Sequence, residues 1–152
     1  MEYCFAVRCA PLESVVLIWS WSNIALGDII SEKEDSAFLE AEEIARLATE
    51  LASEKQARDI AMLDVRAVCS FADYFVICTG ETKRHIEAIW QAIDEVLRSK
   101  GIVPHHNEGT ADSGWLLADF GSVIVHIFGA LQRDYYQLDK LWDKAIPIVR
   151  IQ

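Results

Sequence analysis

The sequence predicts an α/β domain in which a small mixed β-sheet carries helices packed on it. Three observations support this. Ile86, Ile89, Trp90, Ile93, Val96 and Leu97 recur at the spacing of one helical face. "FADYFVICTG" (Phe71 to Gly80) is short, apolar and punctuated, as a buried strand is. "WLLADFGSVIVHIF" (Trp115 to Phe128) places two alternating runs on either side of Gly121-Ser122, a two-residue connection suited to a hairpin.

Bulk properties bound the function. A chain of 152 residues suits one domain with a full core, and 52% apolar with 25% charged residues is a globular composition. A formal net charge of −10 and a pI near 4.8 repel nucleic acid, so no direct sequence-specific nucleic-acid binding is expected and a basic protein is the better partner. Cys4, Cys9, Cys69 and Cys78 show no CxxC spacing and read as unpaired thiols in a reducing cytoplasm. The apolar stretch Leu12 to Ile30 contains Glu13 and lacks both a basic flank and a cleavage site, so neither a membrane span nor a signal peptide is expected.

Composition changes at "SEKEDS" (Ser31 to Ser36), which divides an N-terminal extension with an acidic linker, residues 1–36, from a domain over residues 37–152. Ser36 is the expected N-cap of a first helix carrying Leu39, Ile44, Leu47, Ala48 and Leu51 on one side. Glu40, Glu42 and Glu43 sit in its early turns, where the helix dipole favours acids. Strands follow at Ile60 to Val65 and Phe71 to Gly80. Thr82 caps the second helix, and Gly101 stops it just past Lys100. "IVPHH" reads as a short edge strand, because Pro104 cannot donate to a central ladder, and "NEGTADSG" as a loop. After the hairpin strands, Trp115 to Phe120 and Val123 to Phe128, a last helix is marked by Leu131, Tyr135, Leu138, Leu141 and Trp142. Pro147 ends it before an extended tail. The predicted order is α-β-β-α-β-β-β-α, with no internal repeat.

With Gly121-Ser122 as the turn, Asp119 pairs with Ile124, Leu117 with His126 and Trp115 with Phe128, and each hairpin face follows by alternation. Leu116, Ala118, Phe120, Val123, Val125 and Ile127 make a wholly apolar core side. Trp115, Leu117, Asp119, Ile124, His126 and Phe128 make the other. Two readings of this second side stand open: a recognition surface with aromatic anchors, or a face covered by a helix in which Asp119 and His126 satisfy each other.

Enzyme signatures are incomplete. Asp119-Phe120-Gly121 spells the kinase magnesium motif, but the glycine-rich loop, the lysine strand and the catalytic loop are missing. "TGETK" (Thr79 to Lys83) lacks the full phosphate-loop spacing. His105 and His106 are adjacent on a strand and point to opposite faces, which suits surface residues better than one metal. Cys78 reads as an inert core thiol. The rival to a binding protein is a metal- or nucleotide-dependent enzyme using Asp64, Asp73, Asp119 and His126, which have no diagnostic spacing. No cofactor or metal is assigned.

Taken together, "DIAMLDV" (Asp59 to Val65), "ADYFVICTGETKRH" (Ala72 to His85), Glu108-Gly109, "WLLADFGSVIVHIF" and "RDYYQLDKLW" (Arg133 to Trp142) resemble the ribosome silencing factor family, also called Iojap-like proteins. The match runs from about Phe38 to Asp143 in the family's order. The resemblance implies a compact α/β domain with a likeness to nucleotidyltransferase folds. Their signature, a Gly-Ser motif followed by an Asp-x-Asp pair, is absent. It also implies a non-enzymatic translational repressor that binds the large ribosomal subunit through ribosomal protein uL-fourteen and obstructs joining of the small subunit. An acidic protein meeting a basic ribosomal one fits this. Carried over by position, Trp115, Leu117 and Asp119 form part of the partner contact, with Trp115 as apolar anchor and Asp119 as acceptor for a basic side chain. Tyr74, Arg84, His85, Glu108, His126, Arg133 and Tyr136 also match the family's pattern, and Asp73 and Arg84 are candidates for structural roles. Ser122 stands where the family often has an acid, and Thr82 where a serine is usual. Residues 1–36 have little counterpart, consistent with an extension or with a start assigned too far upstream. Self-association through the apolar face, giving a homodimer, is a third expectation.

Overall fold

Tyr74–Gly80 contains no charged residue, and in the structure every one of its side chains is buried. That is the signature of a central strand covered on both faces. The structure is a computed structural model that describes residues 40–152. The expectations placed on residues 1–36, on Cys4 and Cys9 and on Leu39 lie outside the described residues.

The elements run α1 (Ala41–Glu54), β1 (Arg58–Asp64), β2 (Tyr74–Gly80), α2 (Lys83–Ser99), β3 (His106–Thr110), β4 (Trp115–Asp119), β5 (Val123–Gly129), α3 (Ala130–Tyr136), α4 (Leu138–Leu141) and β6 (Ile146–Ile151), with a 3₁₀ turn at Ala111–Ser113. One sheet of order β3-β4-β5-β2-β1-β6 results. β2 and β5 are parallel, and all other neighbours are antiparallel. The mixed sheet is as predicted.

α1 and α2 cover one face of this sheet. Ile86, Ile89, Ile93 and Leu97 of α2 are buried together with Ile44, Ala45, Ala48, Leu51 and Ala52 of α1. The alanines of α1 keep its packing face narrow, so its backbone can approach the strands closely. These residues share a core with Met62, Val76, Cys78, Leu116, Ala118, Phe120, Val123, Val125 and Ile127. The six hairpin residues expected to face the core all do so. Thr82 caps α2 by accepting from the His85 N–H at 3.1 Å. His85 accepts from the Glu81 N–H through Nδ1, so Nε2 carries the proton and donates to the Lys55 carbonyl at 2.7 Å. This ties the end of α1 to the start of α2.

Four expectations are corrected. α1 starts at Ala41 with Glu40, not Ser36, at its N-cap, and the Glu43 carboxylate accepts from the Glu40 N–H at 3.1 Å. The edge strand is His106–Thr110 rather than "IVPHH", so half of the supposed loop is strand. Its residues are exposed or half-buried on both sides, and no apolar alternation marks it. Pairing with β4 is what creates it. The last helix is two short helices, because Gln137 takes a left-handed conformation (φ 45) between them. The tail is a sixth strand against β1, with Pro147 tolerated on the outer edge.

Gly109 sits at φ 77, and a Cβ there would run into the Trp115 carbonyl of the adjacent strand. We expect Gly109→Ala to cost about 1–3 kcal/mol. A thermal melt would read this as a midpoint lowered by roughly 5–15 °C; an unchanged midpoint would mean that β3 shifts freely.

Candidate functional site

The hairpin pairs in the predicted register, from Trp115 with Phe128 to Asp119 with Ile124. Cross-strand partners share a face. Extending the pairing across β3, β4, β5 and β2 gives three rows on the side away from α1 and α2: His106, Asp119, Ile124, Phe75; Glu108, Leu117, His126, Ile77; Thr110, Trp115, Phe128, Thr79.

α3 and α4 cover most of these rows. Leu117 is 2% exposed, His126 5% and Phe128 0%. Trp142, at the end of α4, packs edge-on against Phe75 with ring centroids 5.2 Å apart. Trp115 keeps part of its surface: its ring stacks on Phe128 at 5.0 Å and meets Tyr136 of α3 at 4.7 Å. Tyr135 stands edge-on to Tyr136 at 5.0 Å and is 80% exposed. The covered reading therefore holds for the centre of this side, although its Asp119–His126 pairing does not form, and only the margin stays open. A covered interior lies under α3 and α4, and an aromatic margin formed by Trp115, Tyr136 and Tyr135 reaches solvent.

Asp119 and His126 do not satisfy each other. The Asp119 carboxylate accepts from the Gly121 N–H at 2.7 Å and so holds the hairpin turn, where Gly121 takes φ 87. His126 lies among rings, edge-on to Phe75 at 5.5 Å and stacked with Phe128 at 6.1 Å. Burial, helped by the nearby charge of Arg133, pushes its pKa down to about 3, so the imidazole is neutral at physiological pH. Cys78 is pushed up to about 12 by burial, as expected of an inert core thiol.

The predicted site residues divide. Trp115, Leu117, Asp119, Glu108, His126, Arg133 and Tyr136 gather on the α3–α4 side, though Leu117 and His126 are interior. Tyr74 does not join them: it is buried among the core residues of the opposite face, and the Arg66 guanidinium lies 5.2 Å from its ring centre. Asp64 shares that opposite face as the cross-strand partner of Tyr74, and Arg66 beside it holds its carboxyl below the usual range. Asp64, Asp73, Asp119 and His126 thus form no joint site. Among the described residues, no three His, Cys, Asp or Glu side chains are placed to hold a metal ion. Leu131, Tyr135 and Leu141, which mark the last helix in the sequence, turn outward and are 81%, 80% and 63% exposed.

An α/β domain with an aromatic margin beside a helical arm defines the class. Its family is equally definite. The model of the family described as "Ribosomal silencing factor during starvation" matches residues 39–152, and the chain belongs to that family. A ribosomal silencing factor of Bacillus subtilis is 37% identical over 102 residues, covering 67% of this chain and 86% of the relative. A mouse protein named "Mitochondrial assembly of ribosomal large subunit protein 1" is 33% identical over 95 residues, 60% of this chain and 42% of that one. A crystal structure from Chromobacterium violaceum superposes with a TM-score of 0.66 at 30% identity, covering 69% of this chain and 88% of that one. Among the described residues, no helix is long and apolar enough to cross a membrane.

The His126 environment makes a pH prediction. Its folded pKa is depressed below the ordinary 6.5, so the unfolded chain binds more protons between about 3 and 6.5. The stability it contributes is complete above 6.5 and is lost as pH falls through that window. By pH 5 the loss is about 2 kcal/mol. We expect the melting midpoint to fall between pH 7 and pH 5, and His126→Phe to flatten that fall. Parallel slopes for the two proteins would refute it.

Proposed function

We propose that this protein is a translational repressor of the cytoplasm that binds the large ribosomal subunit through ribosomal protein uL-fourteen and blocks joining of the small subunit by steric exclusion, without catalysis. The observation that carries this is the partly exposed Trp115, packed on Tyr136 at 4.7 Å, at the margin of a domain belonging to the silencing-factor family. An aromatic pair held by its neighbours loses little conformational freedom on docking, and such residues dominate interface energetics. Glu108, half-buried on β3, and the Asp119 carboxylate flank the margin with negative charge. They complement a basic ribosomal protein, in keeping with the net charge of −10. Leu117, His126 and Arg133 support this surface from below rather than touching the partner. Tyr74 is a core residue and takes no part. Residues 37–152 are the unit that docks.

Sucrose-gradient sedimentation with separated subunits tests the proposal. The protein should travel with large subunits and suppress formation of 70S particles. Trp115→Ala and Tyr136→Ala should each weaken that association by at least 2 kcal/mol, roughly thirtyfold, as for hot-spot residues, and far-UV circular dichroism should be unchanged. Asp119→Asn keeps an acceptor for Gly121 while removing the charge, and should mainly slow association at low salt. Co-sedimentation of Trp115→Ala at the wild-type level would overturn the assigned surface.

A further inference from the structure

Arg133 joins α3 to the neighbouring α4 and to a point of β1 that is 74 residues away in sequence. Its side chain is only 12% exposed. Nη2 donates to the Asp59 carbonyl at 3.1 Å and lies 3.0 Å from Oδ2 of Asp139 and 3.3 Å from Oδ1. Asp59 takes a left-handed conformation (φ 47) within the stretch of β1 where the register against β2 shifts. Asp139 lies in the first turn of α4, just past the break at Gln137. The guanidinium therefore ties an irregular point of β1 to both short helices. α3, which carries it, packs against β5 and β2, the central strands of the sheet.

The helical arm needs such a tether. Helices of seven and four residues have no stability of their own. Leu138 is the only side chain buried within them, and Trp142 on Phe75 secures only the far end. The pair with Asp139, whose side chain is 25% exposed, is a weak stabiliser, because desolvation offsets the Coulombic gain, but its geometry restricts where the arm can sit. Arg133 stands one turn before Tyr136 in α3, so fixing Arg133 fixes the ring that rests on Trp115.

We propose that Arg133 is a positioning residue: it makes no contact with the ribosomal partner, and it holds the α3–α4 arm so that Tyr136 is presented beside Trp115. This rests on the docking surface proposed above. Two readouts separate the ideas: hydrogen exchange of the free protein, which needs no partner, and sedimentation with large subunits. Arg133→Met should speed exchange of amides 130–142 at least tenfold, leave β2, β5 and α2 unchanged, and weaken subunit binding at least tenfold. Arg133→Lys keeps the charge but loses the planar guanidinium that sets Nη2 against both Asp59 and Asp139, and should fall between wild type and Arg133→Met in both readouts. Should Arg133→Met fail to fold, the charge-free pair Arg133→Met with Asp139→Leu carries the same test. Lost binding with wild-type exchange would show that Arg133 touches the partner and would overturn the proposal, as would faster exchange with wild-type binding. The docking surface fails separately, if Trp115→Ala binds normally while Arg133→Met still loosens the arm.

Discussion

The parallel pairing of β2 with β5 is the constraint on which the molecule depends. It runs in register from Tyr74 with Val123 to Gly80 with Gly129. Parallel neighbours cannot be joined by a tight turn, so the chain between them must travel out and back. That excursion contains α2, β3 and β4, which are one helical cover and one sheet edge. Because both strands are buried on both faces, each face requires its own cover. α1 and α2 provide one, and the short arm after β5 provides the other.

The two covers are unequal, and the proposed docking margin follows from the inequality. α2 is seventeen residues long and presents a regular row of Ile86, Ile89, Ile93 and Leu97. That side is a conventional core. The arm is broken at Gln137 and buries little of itself, so it shields the middle of the sheet and leaves its margin open. Trp115 lies at that margin, packed on Phe128 and Tyr136 with part of its surface left exposed. The same economy accounts for His126, which is enclosed among rings and kept neutral by burial, and for Asp119, whose carboxylate is engaged by the turn it stabilises.

Legibility in the sequence tracked periodicity. The hairpin register and the composition of its core face were readable because alternation and a Gly-Ser turn determine them locally. α2 was readable because its stripe, its Thr82 cap and its Gly101 stop agree. β3 was not, since an edge strand exposed on both faces has no pattern to display. The broken arm was not, because Leu131, Tyr135 and Leu141 sit at helical spacing whether or not the helix continues far enough to bury them. Of the site, Trp115 and its hairpin neighbours could be placed on one face from alternation alone. The position of Tyr74 on the other face follows from strand pairing with β1 and β5, which no local rule provides.

By itself, then, the sequence determined an acidic α/β domain, its central strand, its main helix and the two faces of its hairpin, because these depend on side-chain period and turn chemistry within a few residues. The tertiary structure alone decided which face the arm covers, that Asp119 and His126 serve separate ends, that Asp64 and Tyr74 lie opposite them, and that Arg133 reaches from α3 to Asp59. Those outcomes depend on contacts between segments up to 74 residues apart, and residue spacing along a chain carries no information about which distant carbonyl a buried guanidinium will meet.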